Sequence, residues 1–274
     1  MKLNQKYLQG LEWLQTIVVS FFAALFAWYL IRFLTGLTTL YFSYDLNIGA
    51  KLLLSGVDFL SPPHSPVWTR DAIISVYLSG PIMNFILGIS FFVIYTFIPR
   101  KTQSFSFFML WVMVFSFIRM FATFVENAIQ HTGVYRVSQL MHIGDVILVV
   151  SVIVALYFLY LTGLSIGKLI MLSIHPRHIH EDHIKTNYFI VAFVIPWLMV
   201  FGFCFNETRF NLQMIYLLGF VILITFLWTK GPENRGFKLK TLPPFQRIDA
   251  VSTFLFFVGF LLLRQFLASG ITLG

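Results

Sequence analysis

The sequence predicts an all-α membrane protein with about seven transmembrane helices, a short β-containing loop after the first helix and a re-entrant loop after the third. Of its 274 residues, 58% are hydrophobic and only 11% are charged. A soluble domain of this length carries far more charged surface. Apolar runs of about 20 residues recur along the chain, and each is long enough to cross the hydrocarbon layer of a bilayer. We therefore expect residues 1–274 to form a single integral membrane domain whose main partner is the lipid bilayer.

Seven segments have the length and hydropathy expected of a membrane-spanning helix. In chain order they are Leu14–Phe33, Ile73–Ile98, Phe105–Phe124, Val146–Leu164, Tyr188–Phe205, Leu212–Trp228 and Val251–Leu267. The first segment follows two lysines, but it is too long for the apolar core of a signal peptide and no small-x-small cleavage site follows it. We expect this segment to be retained as an anchor.

The positive charges are distributed unevenly over the connections between these segments. The formal net charge is +8. If the amino terminus is cytoplasmic, twelve lysines and arginines lie in inner loops and only four or five in outer loops. This asymmetry predicts a cytoplasmic amino terminus and an outer carboxyl terminus, which we expect in the plasma membrane. Because the basic residues report orientation against anionic lipid, they give no support for a nucleic acid partner.

Two of the longer connections have features of their own. The stretch Leu40–Ile48 is rich in β-formers, and Ser61–Pro66 has the composition of a turn, so a short hairpin is expected near the membrane surface. The connection Val125–Asp145 is polar yet short, and it is expected to dip back into the membrane. Non-helical backbone is tolerated at that depth only where other protein or a water-filled cavity surrounds it.

The segment Gly80-Pro81-Ile82-Met83-Asn84 places a helix breaker and a polar amide inside the second apolar run. Pro81 removes one backbone donor, and Gly80 permits the close approach of another backbone. Asn84 lies one turn further along, where its amide can cross-link a neighbouring helix or hold a loop. One interpretation is a packed, kinked helix with a polar clasp. We expect Asn84 to hold a neighbouring non-helical segment.

This segment resembles the Gly-Pro-x-x-Asn segment in the second core helix of site-2 intramembrane metalloproteases. The order of elements is also similar: a first helix, a short β-containing loop, the Gly-Pro-x-x-Asn helix and a broken stretch that ends at an aspartate, here Asp145. The similarity covers approximately residues 14–165 and leaves residues 187–267 as additional helices. It implies a core with a groove that accepts another transmembrane segment.

The residues that bind the metal in that family are missing here. The proteases carry His-Glu-x-x-His on the first core helix, whereas the corresponding stretch Ser20–Arg32 contains no histidine and no carboxylate. Asp145 is followed by valine where the family usually has glycine, and the Asn-x-x-Pro approach to it is absent. Since an aspartate alone cannot hold zinc, the resemblance implies a non-catalytic scaffold or partner-binding protein without a resident cofactor.

A second interpretation starts from the charged residues of the third span and its exit. Arg119 and Glu126 are two helical turns apart, on one side of that helix, and Asp145 opens the next span. They are expected either to tie the two helices together as a charge cluster or to form an ion or proton path. With Asn84, the second option predicts a transporter or channel subunit.

A third interpretation concerns the histidine-rich connection after the fourth span. His175, His178, His180 and His183 lie with two carboxylates within nine residues, and these ligand types suit zinc or another transition metal. The run either binds such a metal, which would allow a membrane metalloenzyme, or is an ordinary solvated cytoplasmic loop. Cys204 is the only cysteine, which excludes an intrachain disulfide and an iron–sulfur cluster.

Overall fold

The computed structural model describes residues 2–62, 65–98, 102–130, 133–171, 182–204, 219–227 and 249–273, with side chains for all of these except 2–10, 126, 127, 130, 134, 171 and 182–185. The helices are α1 (Lys2–Asp45), α2 (Arg70–Phe97), α3 (Gln103–Gln130), α4 (Val134–Leu140), α5 (Asp145–Met171), α6 (Asp182–Phe189), α7 (Ile195–Cys204), α8 (219–227) and α9 (Ala250–Ser269). A π-helical turn, Ile190–Val194, joins α6 to α7. The strands are β1 (Ala50–Leu53), β2 (Gly56–Phe59) and β3 (Ile271–Thr272).

The predicted all-α membrane fold is confirmed. Within the described ranges, six helical stretches are long and apolar enough to cross a membrane: Leu11–Asp45, Arg70–Phe97, Gln103–Val125, Asp145–Ile170, Thr186–Cys204 and Ala250–Ser269. Each contains or closely matches one of the predicted spans. Of the remaining prediction, Leu212–Trp228, the structure describes only residues 219–227, which are helical.

Helix α1 is the centre of the bundle. It contacts α2, α3, α7, α9 and the β1–β2 hairpin. Ala23, Ala24 and Ala27 are completely buried on it, and small side chains of this kind let neighbouring helices approach closely in a membrane. Phe26 stacks on Phe108 of α3 and on Phe256 of α9, with ring centroids 5.2 and 5.8 Å apart. The apolar core therefore forms where these three helices meet.

A buried polar contact ties α1 to the span formed by α6 and α7. Pro196 has no backbone N–H, so it cannot bond the carbonyl of Ala192 four residues earlier. The Ser20 hydroxyl of α1 donates to that carbonyl and accepts a hydrogen bond from the indole N–H of Trp111 on α3, at 2.8 Å. A proline in one span is thus compensated by a serine from another, as expected where no water is present.

The predicted hairpin is present, but it lies further along the chain than the β-forming stretch Leu40–Ile48. Residues up to Asp45 continue α1, where Leu40 is buried and the Ser43 hydroxyl donates to the carbonyl of Thr39 within the helix. Burial against the core therefore overrides local β-propensity. β1 and β2 pair antiparallel with Ala50 opposite Phe59, and Gly56 adopts a φ of 139° after the turn.

The carboxyl-terminal strand completes the sheet. β3 pairs antiparallel with β1, with Ile271 opposite Leu52, which gives the strand order β2-β1-β3. The end of α9 therefore lies at the same end of the bundle as the hairpin. At the other end, the Ser104 hydroxyl of α3 donates to the carbonyl of Asp249, which precedes α9. The Asp249 carboxylate caps α9, and its hydrogen bonds from the Ser252 hydroxyl and the Val251 N–H hold its pKa below the usual value.

The predicted re-entrant stretch contains α4. This short helix contacts α2 and α3, and its Val137 and Ser138 are buried. Gly133, with a φ of 47°, precedes it, and His142, with a φ of 55°, follows it. Helix α4 is therefore packed against the bundle.

We expect Gly88→Ala to destabilise the contact between α2 and α3. A Cβ at Gly88 would lie 2.7 Å from the Phe117 ring, so the ring must shift or the helices must separate. Overpacking of this kind costs about 1–3 kcal/mol. Detergent-induced unfolding in mixed micelles measures the loss. Gly202→Ala is the matched control, because nothing lies within 4 Å of the added Cβ. Equal stability of the two variants would contradict the close approach of α2 and α3 at this position.

Candidate functional site

A cavity of about 240 Å³ lies between α1, α2, α3 and the hairpin. A single water molecule needs roughly 10–15 Å³ of such a volume, and a drug-sized ligand pocket starts at about 300 Å³. The cavity therefore has room for a small polar group together with several water molecules. The described residues that line it are Arg32, Thr35, Gly36, Thr39, Leu52, Leu53, Gly56, Val57, Phe59, Val76, Tyr77, Gly80, Pro81, Asn84, Arg119 and Thr123.

Helical spacing places these residues on one wall of each helix. On α1 the lining residues Arg32, Thr35, Gly36 and Thr39 follow the i, i+3, i+4, i+7 pattern of a single helix face. On α3, Arg119 and Thr123 are one turn apart. The hairpin contributes residues of both β1 and β2, so the cavity lies at the end of the bundle that carries the sheet.

Asn84 is 2% exposed and is held by α1. Its side-chain oxygen accepts a 2.7 Å hydrogen bond from the Thr35 hydroxyl. One turn away, the hydroxyls of Thr39 and Ser79 are 3.1 Å apart, which forms a second link between α1 and α2. The partner of Asn84 is thus a regular helix and not the non-helical segment expected from the sequence, because α1 continues past the end of its apolar run.

Gly80 and Pro81 shape the same contact. A Cβ at Gly80 would lie 3.2 Å from the Thr35 methyl group, so the missing side chain allows α1 and α2 to approach closely. Pro81 has no N–H for the carbonyl of Tyr77, yet α2 continues through it to Phe97. The three residues that stand out in the sequence, Gly80, Pro81 and Asn84, all line the cavity.

The two arginines come from different helices and flank one tryptophan. Their guanidinium carbons lie 5.8 Å (Arg32) and 5.5 Å (Arg119) from the centroid of the buried Trp28 ring, within the range of a cation–π interaction. Arg32 also donates a 2.7 Å hydrogen bond to the carbonyl of Leu54 at the hairpin turn. In the sequence, Arg32 stands out only as a residue at the end of the first predicted span, Leu14–Phe33. The signal that would have identified it is its spacing with Thr35, Gly36 and Thr39.

The described lining of the cavity is rich in hydrogen-bond donors. Its sixteen described lining residues include two positive charges and no carboxylate, histidine or cysteine. An arginine remains protonated and supplies five N–H donors. Since Asn84 uses its oxygen on Thr35, the group that it can offer to the cavity is its amide NH₂. The described residues therefore suit a negatively charged or hydrogen-bond-accepting group, and they include no set of metal ligands.

The other residues singled out in the sequence do not form part of this described lining. Asp145 is the first residue of α5 and is exposed. Glu126 lies in α3, but its side chain is outside the described part of the chain, as is that of His183 in α6. His175, His178 and His180 lie outside the described residues altogether. Across the described side chains, no group of three or more His, Cys, Asp or Glu residues could hold a metal ion.

Comparisons of the chain with protein-family models, with curated proteins and with solved structures find no match.

We expect Thr35→Val to weaken the contact between α1 and α2, because it removes the donor to a buried amide oxygen while conserving shape. Hydrogen bonds between membrane helices contribute about 0.6 kcal/mol on average and up to about 1.7 kcal/mol. Because Asn84 is buried, we expect the loss of stability to lie in the upper half of this range. Unfolding in mixed micelles measures the change. Thr38→Val is the control, because the Thr38 hydroxyl bonds the Leu34 carbonyl of its own helix. If the two variants unfold alike, the cross-link contributes nothing.

Proposed function

We propose that this multi-pass membrane protein is a non-catalytic binding protein with a site-2-protease-like core, which holds a segment of another membrane protein beside the hairpin. The observation that carries the proposal is the position of β2, at one edge of the described sheet and in the wall of the cavity. An edge strand presents backbone N–H and C=O groups to which an extended segment can bond.

The order of elements supports the site-2-protease-like core. Helix α1 is followed by the hairpin, then by α2 with its Gly-Pro-x-x-Asn segment, and then by α3. The short helix α4 precedes α5, which begins at Asp145. Apart from α3, which comes between the Gly-Pro-x-x-Asn helix and the broken stretch, this is the order that the resemblance implies for residues 14–165.

The residues of α1 support binding over catalysis. Where the resemblance implies metal-binding histidines, α1 carries Ser20, which bonds the Ala192 carbonyl, and three buried alanines. These side chains serve the packing of α1 against its neighbours. The cavity further along α1 offers cationic donors, and a permanently protonated guanidinium is a poor general acid or base.

An apolar face of α2 supports a membrane-spanning partner. Exposed residues recur along α2 with helical spacing, at Ile82, Phe85, Ile86, Ile89, Phe92 and Val93. Tyr77 and Gly80 of α2 line the same cavity as Val57 of β2, so this helix and the edge strand adjoin each other. A partner helix would pack on the α2 face, and its extended end would pair with β2.

The distribution of lysine and arginine supports an orientation in the plasma membrane with the amino terminus in the cytoplasm. The hairpin and β3 would then face the outside. A path for ions through Asn84, Arg119, Glu126 and Asp145 has less support, because Asp145 is exposed at the start of α5 and only Asn84 and Arg119 of the four are described residues of the cavity.

Site-specific photo-crosslinking in intact membranes tests the proposal. With p-benzoylphenylalanine at Val57 of β2 or Ile86 of α2, we expect one discrete adduct with a membrane protein, the same from both positions. Val150, which is 50% exposed on α5, is the matched control and should react only with lipid. The adduct should persist when Asp145 and the four histidines are replaced by alanine. Only lipid adducts from Val57 and Ile86, or equal protein adducts from Val150, would contradict the proposal.

A further inference from the structure

We propose that the cavity beneath the hairpin is a binding site for a phosphate group, of a lipid headgroup or of free phosphate. The inference goes beyond the proposed function, because it concerns the ligand of the cavity and requires no protein partner. It rests on the charge of the cavity, on its donors and on its depth in the membrane.

The charge comes from two arginines whose positions are fixed. Both guanidinium carbons lie within 6 Å of the centroid of the Trp28 ring, and so within about 12 Å of each other. Trp28 is itself held by an edge-to-face contact with Phe115, at 5.3 Å between centroids. Arginine binds phosphate through paired N–H donors, and two like charges in a shared cavity favour an anion.

The remaining polar groups of the cavity are suited to the same ligand. Asn84 can present its amide NH₂, since its oxygen accepts from Thr35. Arg32 and Arg119 are the charged side chains among the sixteen described lining residues. The volume of about 240 Å³ accommodates a tetrahedral phosphate with water.

The depth of the cavity favours phosphate. The apolar run of α1, Leu14–Phe33, spans about 30 Å as a helix, which is the thickness of the hydrocarbon layer. Arg32 and the three lining residues after it therefore lie where the headgroups begin. On α3, Thr123 lies at the corresponding end of the run Phe105–Phe124, and Arg119 lies about one and a half turns deeper. Arg32 thus lies near the level of the lipid phosphates of that leaflet, and a phosphate that enters the cavity from there would meet Arg119 below it.

A thermal-shift titration of the full chain in neutral detergent tests the proposal, with inorganic phosphate as the probe at constant ionic strength. We expect a saturable rise in the melting temperature of several degrees. In a second arm, the protein receives phosphatidylglycerol or, as the control, a galactolipid that has no phosphate. If phosphatidylglycerol stabilises the protein, the galactolipid does not, and added phosphatidylglycerol abolishes the response to inorganic phosphate, the natural ligand is a lipid headgroup. A response to phosphate that this lipid does not affect indicates free phosphate. No saturable response to either probe overturns the proposal.

Variants assign the response to the cavity. Asn84→Asp keeps the side-chain shape and an acceptor for Thr35 but adds a negative charge, so we expect phosphate to bind at least about tenfold more weakly. Arg119→Gln should act alike, and Arg119→Lys should retain part of the response. Arg136→Gln removes an exposed arginine of α4 and is the control. If Arg119→Gln does not fold, Asn84→Asp decides. Unchanged affinity in Asn84→Asp would overturn the proposal.

The two proposals fail separately. Phosphate binding without a protein adduct at Val57 would remove the proposed partner and leave the phosphate site. A protein adduct at Val57 that persists without any phosphate response would remove the phosphate site and leave the partner.

Discussion

The absence of water in the hydrocarbon layer is the constraint on which the rest of this structure depends. A backbone or side-chain polar group inside that layer must find its partner within the protein. Two residues of α1 meet this requirement for polar groups of neighbouring spans. Ser20 bonds the Ala192 carbonyl that Pro196 cannot reach, and Thr35 bonds the buried amide of Asn84. Each of these contacts joins two spans. The same hydrogen bonds therefore satisfy buried polar groups and hold neighbouring helices together.

Because α1 provides these partners, its two halves have different roles. The half before Trp28 is lined with buried alanines and packs against α3, α7 and α9. The half after Trp28 turns a polar face, from Arg32 to Thr39, toward α2 and the hairpin. The β1–β2 hairpin and β3 then close this end of the bundle. A donor-rich, positively charged cavity results, at the depth where the apolar runs end.

The apolar runs were sufficient to predict the fold class, since their length matches the bilayer and their number gives a multi-pass topology. The unusual residues Gly80, Pro81 and Asn84 could also be selected from the sequence, because a breaker and an amide in an apolar run demand a structural reason. The residue that bonds Asn84 could not be predicted from the sequence, since its identity depends on α1 continuing as a helix to Asp45. The hairpin was expected in this connection, but the β-forming stretch Leu40–Ile48 supplies neither strand, because burial of Leu40 in the core outweighs local β-propensity and α1 continues to Asp45. Arg32 was missed as a site residue because only the fold brings it close to Arg119. Both arginines lie over the Trp28 ring, but they are far apart in the chain.

The central claim is that a hydrated, positively charged cavity lies within the membrane-spanning helices, and the accessibility of single cysteines tests it most directly. Cys204 is the only cysteine, so Cys204→Ala provides a cysteine-free background. In that background, Thr39→Cys and Thr123→Cys place a thiol in the cavity, and Phe92→Cys places one on the exposed apolar face of α2. The account predicts that an anionic thiosulfonate modifies the two cavity thiols roughly tenfold faster than a cationic one, since a positive site concentrates anions, and that Phe92→Cys reacts with neither. Unreactive cavity thiols, or faster reaction with the cationic reagent, would contradict it.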